Sequence, residues 1–330
     1  MRDILTLISV ENIKLWKRTS TKVMIGILVL ITLAATGIYK YYAASNKLST
    51  VNTVSATWKE DLSKQLQMEK ESLKQLEQSD SKSSKMTIGS LKKQIAEDEY
   101  AINNNIAPES KTSIWTMVTK FDSNAGYGRV IALFLIIACS ALVAGEFSEG
   151  TMKMMISRPY SRSKIITGKL IATLLYGVVL LLITFLLNFI MLGIFFGFNG
   201  LGAKEMLWTT SKIIYMPGIL STLIVFALDF LQVIMFVILA FAISTLARSR
   251  SIATGFSLFM LLFGSGIIQL LAVYFSWGKY LPFASTDFSG LVTQGSTIYD
   301  IGLGFSIVSF LIYTIVMAII GYIGFRKRDI

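Results

Sequence analysis

A polar segment between two strongly apolar stretches, residues 145–170, carries side chains with evident capacity for chemistry. It reads GEFSEGTMKMMISRPYSRSKIITGKL and contains two acids, five basic residues and a proline. Acids and bases of this kind form ion pairs and hydrogen bonds. The segment is too short to be a domain of its own. We therefore interpret it as a contact element for a separate protein.

Three polar residues inside apolar runs form a second candidate site. Asp229 lies between Leu228 and Phe230, where an unpaired charge in a membrane costs several kcal/mol. Gln232 falls on the same helical face, and Asn188 in a neighbouring run is a candidate hydrogen-bond partner. Two interpretations stay open. In the first, the site is a polar point on a translocation surface or at a gate. In the second its role is structural: it forms a hydrogen bond between helices, or it breaks the helix so that the end of the run lies flat.

The absence of histidine restricts the chemistry further. The 330 residues include no histidine and a single cysteine, Cys139. This excludes Ser-His-Asp and Cys-His catalytic arrangements, His-ligated zinc, histidine proton relays and any intrachain disulfide. Asp229 also lacks the paired-aspartate pattern of intramembrane aspartyl proteases. We expect no catalytic residue, bound metal or cofactor in this chain, and no enzymatic activity of its own.

Six apolar segments must position these residues. With 53% hydrophobic and 15% charged residues, the chain has too little charge to cover the surface of a soluble protein of this length. Each segment is long enough to cross a hydrocarbon layer of roughly 30 Å. The sequence therefore predicts an all-α polytopic membrane protein with six transmembrane helices. The segments cover residues 23–42, 126–144, 165–198, 218–247, 252–275 and 301–325.

Basic residues are concentrated on alternate connections between these segments. They precede the first segment, separate the second from the third and the fourth from the fifth, and follow the sixth. The positive-inside rule then places both termini in the cytoplasm. Because topology explains most of the net charge of +11, we expect membrane lipid and not nucleic acid as a partner.

Residues 1–22 are predicted to form a basic amphipathic helix on the cytoplasmic membrane surface, before a first span at 23–43. Glu11 and Lys14 are assigned to the polar face of this helix. Its apolar positions are Ile4, Leu7, Ile8, Ile13 and Trp16.

Residues 44–125 are polar and fall outside the cell on this topology. Apolar residues recur at helical spacing within 58–77, where Glu69 occupies one heptad position, and again within 88–102. A turn composition at 78–84 separates the two runs. We expect an antiparallel helical hairpin followed by an irregular stretch. This insertion either faces a substrate or partner or serves as a spacer, and residues 126–330 hold the five remaining spans.

The order of residues in the connection between the second and third segments resembles a known family. The order is Glu, Gly-Thr, an apolar pair, Pro, Ser-Arg and Gly-Lys. It is similar to the order found in the type-2 permease subunits of ABC transporters, which are exporter-like proteins with six spans per subunit. The N-terminal run ENIKLWKR also resembles the amphipathic helix that opens these subunits. The outer insertion is larger than in compact members. The matching residues are Glu146, Gly150, Thr151, Met154, Met155, Pro159, Ser161, Arg162, Gly168 and Lys169.

This resemblance implies a coupling helix within residues 146–162, including Glu149, that lies parallel to the membrane and docks a nucleotide-binding subunit. That subunit would bind ATP and magnesium, and a second copy or a related permease subunit would complete the transporter. The sequence agrees, since no stretch fits G-x-x-x-x-G-K-[ST] and Gly168-Lys169-Leu170 lacks the required hydroxyl.

The expected function is the permease subunit of an ATP-driven exporter in the bacterial cytoplasmic membrane. The scarcity of charge within the spans favours an amphiphilic cargo, such as a peptide antibiotic or a lipid-like molecule. The alternative is a non-transporting membrane sensor or scaffold, whose outer hairpin binds a ligand and whose inner connection recruits a protein.

Overall fold

A computed structural model of the chain describes residues 2–45, 57–78, 82–107, 113–150, 160–210, 212–296 and 301–326. Within these ranges the regular structure is helical apart from one small pair of strands. Six helices are long and apolar enough to cross a membrane, and each coincides with one predicted segment. The prediction of an all-α, multi-pass membrane protein is confirmed.

The elements follow one another from the N-terminal helix to the last membrane helix. A π-helical turn, Met260–Gly264, joins the helices Arg250–Phe259 and Ser265–Tyr274, so these two form the fifth membrane helix. The helices are α1 (Arg2–Lys17), α2 (Thr19–Ser45), α3 (Trp58–Gln78), α4 (Lys82–Asn103), α5 (Ile114–Ala125), α6 (Tyr127–Ser148), α7 (Arg162–Phe196), α8 (Gly218–Ala247), α9 (Arg250–Phe259), α10 (Ser265–Tyr274), α11 (Phe288–Thr293) and α12 (Leu303–Arg326), with strands β1 (Lys204–Trp208) and β2 (Ile213–Pro217) between α7 and α8.

The centre of the bundle is formed by α6 and α8, whose membrane-crossing parts are mostly buried, whereas little of α12 is buried. α8 packs against α6, α7, α9 and α12. At one end, Phe147 contacts both Phe325 and Arg248, which places the ends of α6, α8 and α12 together. We call this the basic end, and the opposite end, which carries α3 and α4, the hairpin end.

The predicted helical hairpin is present as α3 and α4. Their antiparallel packing is marked by two ion pairs, Lys70 to Glu99 at 2.6 Å and Lys92 to Glu77 at 2.9 Å. Glu69, in the heptad position between leucines, is buried and accepts a hydrogen bond from the side-chain amide of Gln94 on the other helix. Residues 79–81 of the predicted turn lie outside the described residues.

Residues 114–125 form α5, a helix that was not predicted, whereas residues 104–107 of the predicted irregular stretch form neither helix nor strand. Ser113 caps the N-terminus of α5 by accepting a hydrogen bond from the Thr116 amide, and Gly126 ends it in a left-handed conformation with φ 66°. Its buried face, which includes Trp115 and Phe121, packs against α7 and α8. The helix is short, so its apolar spacing extends over too few turns to stand out in the sequence.

Two features of the fourth segment depart from expectation. The strands β1 and β2 precede it as an antiparallel hairpin in which Met206 lies opposite Tyr215, although no strand was predicted there. In addition, α8 runs unbroken from Gly218 to Ala247, so the interpretation in which a break near Asp229 lets its end lie flat is wrong.

Candidate functional site

Four charged side chains meet at the basic end, where α1, α6 and α7 come together. Lys169 Nζ lies 2.9 Å from Glu11 Oε2 and 2.7 Å from Glu146 Oε2. Lys14 Nζ lies 3.0 Å from Glu11 Oε1 and 3.4 Å from Glu146 Oε1. Each carboxylate therefore pairs with both ammonium groups. We refer to Glu11, Lys14, Glu146 and Lys169 as the ion cluster.

The ion cluster is enclosed by protein on all but one side. The exposed fraction of the side chain is 0% for Lys169 and 1% for Glu11, against 41% for Lys14. Removing such charges from water costs several kcal/mol per ion unless opposite charges accompany them. The three elements consequently depend on one another, because moving any one of them would leave a buried charge without its partner.

The position of Glu11 results from the packing of α1 against α7. Leu7, Glu11 and Leu15 follow one another at four-residue spacing, so they share one helical face, and all three are buried. Gly168 on α7 permits this approach, since a Cβ atom there would lie 3.3 Å from Leu7 Cβ. The sequence-based assignment of Glu11 to the polar face is therefore wrong, and Ile13, assigned to the apolar face, is exposed.

The charge state of Glu11 follows from its neighbours. Burial by itself would raise the pKa of this carboxyl group, but the ammonium groups of Lys169 and Lys14 lower the pKa below its ordinary value. Glu11 is thus held as a carboxylate, which completes the alternation of charges within the ion cluster. Such a cluster can hold elements in register or transmit a displacement.

The ion cluster flanks the connection between α6 and α7. Glu146 lies in the last turn of α6 and Lys169 lies two turns into α7, so a displacement of either end of the connection acts on the same buried ion pair. α1 would move with them through Glu11. The arrangement therefore links the connection mechanically to two membrane helices and to the N-terminal helix.

The predicted coupling residues occupy different positions around this connection. Glu146 is buried in the ion cluster, whereas Glu149 and Gly150 are exposed at the end of α6. Ser161 caps α7 by accepting a hydrogen bond from the Lys164 amide, and Arg162 begins that helix. The remaining predicted positions, Thr151, Met154, Met155 and Pro159, lie outside the described residues, so the coupling helix stays a prediction.

A second polar cluster lies at the hairpin end, around Asp229. The Ser289 hydroxyl donates a hydrogen bond to Asp229 Oδ1 at 2.5 Å, and the carboxyl group of Asp122 on α5 lies against that of Asp229. Gln232 lies beside Gly128 of α6, where a Cβ atom would be 3.0 Å from Gln232 Oε1. Asp229 therefore joins α8 to α5 and α11.

The predicted hydrogen bond between Asn188 and Asp229 is absent. Asn188 is completely buried on α7, and neither polar atom of its side chain has a hydrogen-bond partner among the described residues. Of the three polar residues predicted to share a site, Asp229 and Gln232 both lie beside Gly128 of α6, and Asn188 is not hydrogen-bonded to either.

The Asp122–Asp229 pair is enclosed, with exposed fractions of 1% and 4%. Burial, followed by the negative charge of Asp229, raises the pKa of Asp122 well above its ordinary value. A proton on Asp122 allows the two carboxyl groups to share a hydrogen bond, because like charges this close do not ionise together. In the described residues no group of three or more acids or cysteines is placed to hold a metal ion.

Among the residues of these clusters that were not predicted as site residues are Glu11, Lys169 and Asp122. Glu11 could have been found from its place between Leu7 and Leu15 in a four-residue series. Lys169 lies four residues beyond Ile165, the first apolar residue of α7. This position is deeper in the apolar run than the basic residues of a cytoplasmic connection need to be. Asp122 gave no such signal, since its partner lies on a helix more than a hundred residues later.

The comparisons with known proteins show the family to which this chain belongs. Residues 85–330 match the model of a family described as "Protein of unknown function (DUF2705)", so the chain is a member of that family. It is also 31% identical over 331 residues to the "Uncharacterized protein YhcI" of Bacillus subtilis (strain 168), with 99% of each chain covered. Neither description states an activity.

Proposed function

We propose that this member of the DUF2705 family is the membrane-spanning permease subunit of an ATP-driven ABC exporter. A separate nucleotide-binding subunit would hydrolyse ATP, and this chain would convert the resulting movement into outward transfer of an amphiphilic cargo. In this proposal the basic end faces the cytoplasm of a bacterial cell and both termini lie there. A second copy of the chain, or a related permease subunit, would form the other half of the transporter.

The observation that carries this proposal is the ion cluster at the base of the 149–161 connection. A partner that pushes on this connection would displace α6 and α7 together, because Glu146 and Lys169 form a buried ion pair 2.7 Å apart. α6 lies at the centre of the bundle and packs along α8. A push at the basic end would therefore reach α8, which carries Asp229 and Gln232.

The cluster also divides the predicted coupling residues into two roles. Glu146 would act from inside the protein, by holding α1, α6 and α7 in register. Glu149, which is exposed, would be available to contact the nucleotide-binding subunit. The distinction matters for the experiment, since a substitution at Glu146 would disturb folding and docking at the same time.

The test is affinity purification of the intact chain from its native membrane in mild detergent, compared with the charge-reversal variant Glu149→Lys. We expect an ATPase with a Walker motif to co-purify with the intact chain and to be reduced at least tenfold with the variant. The matched control is Glu71→Lys, an exposed acid on α3 at the hairpin end, which should retain the ATPase fully.

The absence of any Walker-motif protein under several detergents would overturn the exporter and favour the sensor or scaffold. Equal loss of the ATPase in both variants would show that docking does not involve the 149–161 connection. ATP hydrolysis by the purified complex, stimulated by this chain relative to the isolated ATPase, would provide the functional readout.

A further inference from the structure

The outer hairpin of α3 and α4 is held against the hairpin end of the bundle at two places along α4. Near the base of α4, the Tyr100 ring packs against Tyr215 of β2, with 6.2 Å between the ring centroids. Nearer the tip, Gly89 lies against the turn that follows α11. A Cβ atom at Gly89 would overlap the carbonyl oxygen of Ser296, and a Cβ atom at Gly295 would lie 2.7 Å from the carbonyl oxygen of Gly89. The second contact therefore depends on two glycines, because a side chain at either position would separate the two backbones.

Between these two contacts, α4 covers a cavity of about 110 Å³. Lys93 and Glu97 of α4 form one wall of the cavity, and both lie between Gly89 and Tyr100 in the chain. The other walls belong to α5, α8, α11 and the two strands. Because α4 is held on both sides of the cavity, loss of either contact would open it.

The turn beneath α4 follows α11, a short helix that is hydrogen-bonded to both α5 and α8. The Ser289 hydroxyl donates to Asp229 Oδ1 of α8 at 2.5 Å, and the hydroxyl oxygens of Thr293 and Ser123 of α5 lie 2.8 Å apart. Ser123 is the chain neighbour of Asp122. α11 therefore keeps its position only while α5 and α8 stay together at the Asp122–Asp229 pair.

The Asp122–Asp229 pair holds α5 against α8 when it carries a proton. Both side chains are buried, and two carboxylates this close repel each other strongly when both are ionised. Burial and the negative charges of Asp229 and Asp287 raise the pKa of Asp122 well above its ordinary value. Loss of the shared proton would therefore drive the two carboxylates, and with them α5 and α8, apart.

The elements around the pair provide no countercharge in place of the proton. Among the described residues no lysine or arginine forms an ion pair with Asp122 or Asp229. Arg129 of α6 lies 3.9 Å from Asp287 instead, and Lys120 of α5 interacts with Glu205 of β1. The other ionisable groups that face Asp122 are Asp229 of α8, Asp287 before α11 and Tyr127 of α6.

We propose that the hairpin of α3 and α4 is a lid over this cavity, and that a proton shared by Asp122 and Asp229 keeps the lid closed. With the proton in place, α11 bridges α5 and α8, and the turn at 294–296 supports Gly89. Without it, α11 loses one of its two partners, and the hairpin rotates about its remaining contact at Tyr100. The closed state is thus favoured at low pH and is lost as the pH rises through the raised pKa of Asp122. This assignment does not depend on the proposed transport function, because it requires neither ATP nor a second subunit.

The test is a distance measurement by pulsed electron paramagnetic resonance on the full chain in detergent, in a Cys139→Ala background. Spin labels at Thr87→Cys, an exposed position on α4, and at Arg250→Cys, an exposed position at the basic end, report where the hairpin lies relative to the bundle. We expect this distance to lengthen by several ångströms between pH 5 and pH 9. The reference pair, Asn104→Cys with Arg250→Cys, reports the base of the hairpin near Tyr100 and should keep its distance.

Two variants separate the proton from the glycine contact. Asp122→Asn is neutral at every pH, so its distance should stay at the value of the closed lid throughout. Gly89→Ala removes the support near the tip and should give the longer distance at both pH values. Its matched control is Gly202→Ala, which should respond like the intact chain because no atom lies within 4 Å of the added Cβ.

A distance that does not change with pH in the intact labelled chain would overturn the proposal. The same pH response in Asp122→Asn would exclude the acid pair as its origin and would also overturn it. A closed-lid distance in Gly89→Ala at pH 5 would show that the hairpin is not held at this contact, with the same consequence. Circular dichroism would verify that the variants are folded, and the pH response of the intact chain remains decisive if one of them is not.

Discussion

The Lys169 ammonium group lies 2.7 Å from the Glu146 carboxylate and thereby joins α7 to α6 across the connection that separates them in sequence. Lys169 is the deepest charge of the ion cluster, and α1 is attached to it through Glu11. The ion cluster holds the three helices together only while each carboxylate has its lysine partners. Its disruption should therefore be measurable as a loss of stability.

Replacing Lys169 by methionine should lower the free energy of unfolding by about 3–5 kcal/mol, the usual cost of removing one partner from a buried ion pair. Methionine preserves all but the last atom of the unbranched side chain, so the loss mainly reports the missing charge. Thermal unfolding of the purified chain in detergent, followed by circular dichroism, would measure it. Lys17→Met, at an exposed position on α1, should leave the melting temperature nearly unchanged, and an equal effect of the two would contradict this account.

The contribution of Glu11 should depend on pH. Because the lysines lower its pKa below the ordinary value of 4.5, its stabilising effect is complete above that value and is lost as pH falls through the lower pKa of the folded state. The melting temperature should therefore decrease below pH 4.5, and Glu11→Gln should show a smaller decrease. Glu60→Gln, an exposed acid on α3, serves as the control and should follow the intact chain. Parallel curves for Glu11→Gln and the intact chain would refute the prediction.

Asp122 should show the opposite dependence. Burial and the negative charge of Asp229 raise its pKa well above 3.8, so its favourable contribution is present at low pH and is lost as pH rises toward the raised pKa. Asp122→Asn remains neutral throughout. Relative to this variant, the intact chain should gain stability as the pH is lowered from 8 to 5, whereas a difference that stays constant over this range would exclude a shared proton.

Gly218 should not tolerate a larger side chain. A Cβ atom there would lie 2.4 Å from Trp115 Cδ1, and the Trp115 indole is fixed by donating a hydrogen bond from Nε1 to the Leu201 carbonyl at 2.8 Å. Gly218→Ala should therefore cost about 1–3 kcal/mol through overpacking. Gly202→Ala is the matched control, because no atom lies within 4 Å of its added Cβ. Thermal unfolding compares the two, and equal melting temperatures would show that Trp115 moves aside freely.

The membrane helices were predictable from sequence because each is specified by its own apolar run. For α8 the predicted segment and the observed helix coincide, from Gly218 to Ala247. A helix of this length satisfies its own backbone hydrogen bonds, so its formation needs no information from the rest of the chain. The same reasoning explains why α3 and α4, each with its own apolar stripe, were found.

The strands β1 and β2 and the short helix α5 were not found, for a different reason. An isolated two-stranded hairpin is marginally stable at best, and α5 has only 12 residues. Both are stabilised by contacts with α8 and its neighbours. Local sequence preference at these positions is weak, and packing decides the conformation.

The sequence by itself determined the number of membrane helices and their alternating direction, because these depend on local composition. It also excluded every catalytic or metal site that needs a histidine. The tertiary structure alone decided which charges meet. Lys169 and Glu11 are 158 residues apart, and Asp122 finds Asp229 on another helix. A buried charge needs a countercharge or a proton, wherever in the chain it is supplied, and no local pattern records the partner's position.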